Sequence, residues 1–97
     1  MRRFIVVTNS ATTSREARNA ITTYLQLGGW LVWHWFEDLW MVVAPEHVKL
    51  GEVRDQITKL LGPSTANVMV MSTEGLIDHA GMVPVNSISW IQENWQR

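Results

Sequence analysis

Cysteine is absent from the 97 residues. That excludes disulfides and thiolate metal sites, and it suits a reducing compartment. Charge is sparse, at 18% of residues with a net of −1, against the usual quarter. So balanced a chain lacks the strongly basic face of a general nucleic-acid coat. No apolar run approaches the roughly 18 residues of a membrane span. The apolar stretch behind Arg2 and Arg3, Phe4–Val7, is too short for the hydrophobic part of a signal peptide. A cytoplasmic, non-membrane protein is expected, folded as a single domain over residues 1–97. Lysine and arginine are missing altogether between Gly28 and Val48. There is no glycine loop that opens a helix to cradle phosphate, since Gly28-Gly29 follows a helical pattern. No serine sits in a glycine-flanked nucleophile elbow.

What is abundant is tryptophan. Four of the six, Trp30, Trp33, Trp35 and Trp40, fall between residues 30 and 40. Glu37-Asp38 divides this region into two apolar runs of strand length, which is a hairpin pattern. With Glu37 and Asp38 as the loop, Phe36 faces Leu39, Trp35 faces Trp40 and His34 faces Met41. Trp33 then faces Val42, and Val32 faces Val43. Both faces of such a hairpin are apolar, whereas a sheet with one wet face alternates apolar and polar. Something must cover each side. Trp35 and Trp40 are expected on the side turned away from the helices, with His34 on the helix side.

The rest of the chain supplies the elements around this hairpin. Arg3–Thr8 reads as a central strand, with Phe4, Val6 and Thr8 on one side and Ile5 and Val7 on the other. Thr13-Ser14-Arg15-Glu16 has the spacing of a capping box and opens a helix to Leu27, with Ala17, Ala20, Ile21, Tyr24 and Leu25 inward. Gly28-Gly29 ends it. A second helix over 50–61 buries Leu50, Val53, Ile57, Leu60 and Leu61, and stops at Gly62-Pro63. Asn67–Met71 reads as a fourth strand. Residues 72–85 form a loop with room for a short strand at Leu76-Ile77. Asn86 then caps a last helix through Trp95, with Ile88, Ile91 and Trp95 on one side. The order β-α-β-β-α-β predicts an α+β, ferredoxin-like sandwich with a short C-terminal helix. Right-handed crossovers place both main helices on one sheet face and leave the other as an apolar interaction surface.

The pattern Trp33-His34-x-x-Glu37-x-x-Trp40, the segment Ala80-Gly81-Met82-Val83-Pro84 and the later Trp90-Ile91 resemble small bacterial proteins called SinR-like. Met82 and Ile88 stand where that family tends to have tryptophan. The family is similar in fold to the small CRISPR-associated subunit that dimerises and scaffolds spacer integration. The resemblance implies the fold and the habit of pairing. Members of that CRISPR family described as metal-dependent nucleases carry an aspartate at the end of the first strand, where this chain has Thr8 and Asn9. A neutral amide is a poor ligand for a hard cation, so no catalytic residue, metal or cofactor is assigned.

The expected function is a non-catalytic interaction or scaffold protein, a homodimer pairing through its tryptophan-rich face or docking a protein partner. The assigned residues are Trp30, Trp33, Trp35 and Trp40, as interface or ligand contacts, although Trp33 and Trp90 also fit plain core packing. A second reading is a nucleotide or nucleic-acid binder that stacks bases on the tryptophans, with Arg2, Arg3, Arg15 and Arg18 contacting phosphate. The acidic hairpin tip makes it the weaker one. A weak metal-dependent nuclease is the third. His34, His47 and the adjacent Asp78-His79 are the available acid–base groups, and none shows a specific arrangement.

Overall fold

The computed structural model describes residues 1–62, 67–73 and 85–95. Strand β1 (Arg2–Thr8) is followed by helix α1 (Arg15–Leu27) and by the hairpin of β2 (Leu31–Phe36) and β3 (Leu39–Ala44). Helix α2 (Leu50–Leu61), strand β4 (Val68–Ser72) and helix α3 (Val85–Trp90) follow, and α3 runs into a π-helical turn, Ile91–Trp95. The fold is α+β. The four strands form one antiparallel sheet in the order β2-β3-β1-β4. Since β1 and β2 both run against β3, they are parallel to each other with β3 between them. β3 and β4 flank β1 in the same way.

Alternation along the strands sorts the sheet into two faces. On the first face Val6 sits between its partners Trp40 and Val70, and Phe4 beside Val42, which pairs onward to Val32. Helices α1 and α2 both cover this face. Ile21, Leu25, Val53 and Ile57 bury against Phe4, Val6, Trp40, Val42 and Ala44 to form the main core. These are the inward positions that 3.6-residue spacing selects, although Leu60 stays exposed.

Local chemistry sets the element ends, and in three places not as the residue pattern suggests. The N-cap of α1 is Ser14, whose Oγ accepts from the Ala17 N–H at 3.1 Å, so the expected capping box from Thr13 is corrected. Thr13 is buried instead, donating its hydroxyl to the Asn9 carbonyl at 2.7 Å. Strand β4 lies one residue later than expected. Asn86 lies inside α3, not ahead of it. At the other end of α1, Gly29 adopts φ +75°, a conformation that favours glycine. Leu76-Ile77, Asp78-His79 and the segment 80–84 lie outside the described residues.

The second sheet face differs from expectation in being partly covered. Trp33, Val43, Ile91 and Trp95 form a second buried cluster, with Ile5, Leu39, Met41 and Trp90 packed around it. Its inward positions along the C-terminal segment are Ser87, Ile91 and Trp95. Ile88 is turned out. The indole N–H of Trp33 donates to the buried Ser87 hydroxyl. No helix among the described residues is long and apolar enough to cross a membrane.

Candidate interaction surface

The hairpin turns at Glu37-Asp38 as its sequence indicates, and Phe36 pairs with Leu39. Beyond that pair the register is corrected. Trp33 pairs with Met41, Val32 with Val42 and Leu31 with Val43, because the register shifts between Trp33 and Phe36. His34 and Trp35 together oppose Trp40, which is the two-against-one arrangement of a β-bulge. Trp35 and Trp40 are therefore not a cross-strand pair.

The bulge separates the four tryptophans. Trp40 is completely buried under the helices, and its Nε1–H donates to the Thr22 hydroxyl at 2.9 Å. Trp33 is buried on the opposite face beneath the C-terminal segment. The expectation that Trp33 and Trp40 present an interface is thus corrected, since their own chain encloses both. Trp30 is half-buried, meeting Phe4 and Tyr24 edge to face at 6.2 and 6.1 Å. Trp35 alone of the four is substantially exposed, at 49%. His34 does lie on the helix face. Its ring is stacked on Trp40 and its Nδ1 is 3.1 Å from the Leu39 carbonyl, a contact that needs a proton on that nitrogen.

Among the described residues, one row of side chains that is exposed at both ends crosses the whole of the second sheet face. Phe36 pairs with Leu39, Leu39 with Val7 and Val7 with Met69. Paired residues in neighbouring strands point to one side, so the four form an apolar line over all four strands. Phe36 and Met69 end it at 52% and 60% exposure, and Leu39 and Val7 are half-buried. Met71, one row along and paired with Ile5, is also exposed. None of these residues is charged. Sequence alternation alone pointed to an apolar face. It did not show which row escapes the C-terminal segment.

The four N-terminal arginines do not converge. Arg2 donates to the Val48 carbonyl at 2.6 Å, while Arg3 reaches across the second face to the carbonyls of Trp95 and Asn94. Both lie at the start of β1. Arg18 lies toward its other end, forked onto Asp38 at 3.0 and 3.3 Å. Arg15 is exposed at the start of α1. The expected phosphate-contacting set is therefore split between the two ends of a strand that spans roughly 20 Å.

Asp38 is the only acidic side chain brought to the end of β1 by a described hydrogen bond. The Thr8 hydroxyl donates to it at 2.8 Å, beside the Arg18 fork. Burial pushes the Asp38 carboxyl up, but its bonds from Arg18 and Thr8 and the nearby charges of Arg18 and His34 outweigh this and hold it below the ordinary value. Asn9 is occupied in shaping the following turn, where its side-chain oxygen accepts from the Ala11 N–H at 2.9 Å. Among the described residues no group of three or more acidic or histidine side chains is placed to hold a metal.

A feature not anticipated from the sequence lies on the helix side. Tyr24, Trp30, His47 and Glu52 line a cavity of about 220 Å³ where the end of α1, the start of β2 and the first turn of α2 meet. These residues are 28 positions apart at the extremes, and no spacing rule connects them. Comparison of the chain with protein-family models, curated proteins and solved structures returns no match.

Proposed function

We propose that the chain is a non-catalytic, cytoplasmic interaction protein that pairs with a second copy of itself through the Phe36–Leu39–Val7–Met69 row. The observation that carries this reading is the row itself, which is uncharged, crosses the whole sheet and is most exposed at its two ends. A large exposed apolar patch marks an interaction site. A two-fold interface brings the same patch together from both subunits, and a row that is apolar at every position is complementary to itself.

The ferredoxin-like reading of the fold is part of the proposal. In its support, the order β2-β3-β1-β4 reads 4-1-3-2 from the other edge, with the outer strands each joined to the inner ones by a helical crossover, a split βαβ arrangement. Kinship with the SinR-like family, and through it with a dimerising scaffold, is proposed on the motifs around Trp33 and Trp90. A nuclease reading has less support, because Asn9 serves its turn and Asp38 is paired with Arg18.

Light scattering coupled to size exclusion tests the surface. Met69→Glu or Phe36→Glu is expected to yield monomers. Leu27→Glu, at an exposed site on α1, is expected to leave the dimer intact. Equal behaviour of all three would remove the row from the interface.

A further inference from the structure

The cavity between α1, β2 and α2 has the composition of a cation site. Two of its walls are aromatic, since the Tyr24 and Trp30 rings meet at 71° with centroids 6.1 Å apart. Glu52, also lining it, supplies the negative charge. The Tyr24 hydroxyl is pushed up from its ordinary value by burial and further by the Glu52 charge, so the carboxylate acts electrostatically on that aromatic corner. Gly28 makes the room for the indole, because a Cβ there would lie 2.7 Å from the Trp30 Nε1. Within the described residues no hydrogen bond engages the Tyr24 hydroxyl, the Trp30 N–H, the His47 ring or the Glu52 carboxylate. Arg2 does not line the cavity and gives a hydrogen bond to the Val48 carbonyl. The site is therefore aromatic and acidic, with His47 its one basic lining side chain and no lysine or arginine among the residues that line it.

We propose that this cavity binds an organic cation, a substituted ammonium held against the faces of Trp30 and Tyr24 and neutralised by Glu52. Aromatic faces attract such cations through their quadrupoles, most strongly where water is excluded. A carboxylate at the rim distinguishes a cation from an uncharged group of equal shape. The site is separate from the open row on the far side of the sheet, and it stands or falls independently of the dimer.

The test is an NMR titration of the folded chain at constant ionic strength. The probes are choline and its uncharged counterpart 3,3-dimethyl-1-butanol. The Trp30 indole N–H signal, assigned by its loss in Trp30→Phe, is expected to shift saturably with choline and to stay put with the alcohol. Glu52→Gln, a change on an exposed side chain, should weaken choline by about tenfold with the rest of the spectrum unchanged. A parallel titration with N-acetyl-trimethyllysine amide distinguishes a free small molecule from a peptide side chain, according to which binds more tightly. No saturable shift with either cation, an equal response to the alcohol, or unchanged affinity in Glu52→Gln would overturn the proposal.

Discussion

The His34 ring lies flat against Trp40, with centroids 4.4 Å apart and planes 4° from parallel. Regular alternation would put these two residues on opposite faces of the hairpin. The extra residue in β2 brings them to the same face and turns Trp35 outward. One bulge thus decides which tryptophan belongs to the core.

That division predicts opposite outcomes for two similar substitutions. Trp40→Ala removes a fully buried indole and should cost about 3–5 kcal/mol of folding stability. Trp35→Ala should cost under about 1 kcal/mol, as surface changes do. Urea denaturation followed by circular dichroism measures both.

The Trp33–Ser87 hydrogen bond fastens the C-terminal segment to the sheet. Ser87→Ala leaves a buried indole N–H without its partner and should cost about 1–3 kcal/mol. Faster hydrogen exchange throughout 85–95 should accompany the loss. Unchanged exchange there would show that Ile91 and Trp95 hold the segment alone.

The Asp38 carboxyl, held below its ordinary value, gives a definite sign to the acid response. A group whose pKa is depressed by folding stabilises the fold above its unfolded value and loses that contribution as pH falls through the folded one. The melting temperature should therefore drop below about pH 4, where unfolded carboxylates begin to take up protons. Asp38→Asn should be less stable at neutral pH and show a shallower acid drop. Glu46, lowered by its bond from the N-terminal ammonium, contributes to the drop in both proteins and cancels in the comparison.

Gly29 and Gly28 should respond to alanine for different reasons. At Gly29 the positive φ makes the change costly by about 1–2 kcal/mol, although a Cβ there would meet nothing. At Gly28, where φ is −85°, the backbone tolerates alanine but the Trp30 ring must move. A displaced Trp30 N–H resonance should report that movement, and Gly29→Ala should leave it in place.

The outline of the fold was legible because it rests on local rules. The apolar stripe of Ile21 and Leu25, the Gly28-Gly29 stop and the acidic turn at Glu37-Asp38 each mark their element from within a few residues. The departures arise where distant groups decide. Thr13 and Ser14 both suit an N-cap, and the turn at Asn9 claims Thr13. The bulge has no glycine to announce it, and stacking of His34 on Trp40 together with burial of Trp40 accompanies its position. Ser87, not Ile88, faces inward because Trp33 meets it there. The open row was legible as an apolar face, but its limits depend on a C-terminal segment that crosses the sheet from far along the chain. The cavity beside Trp30 joins three elements and left no trace in the sequence pattern.

The central claim, that the exposed row joins two copies of the chain, is tested most directly by sedimentation equilibrium of the unmodified protein at micromolar concentrations. The predicted result is twice the mass of the chain, reverting to a single chain in Met69→Glu with the fold retained by circular dichroism. A single-chain mass for the unmodified protein across that range would contradict it, as would a dimer that Met69→Glu and Phe36→Glu both leave intact.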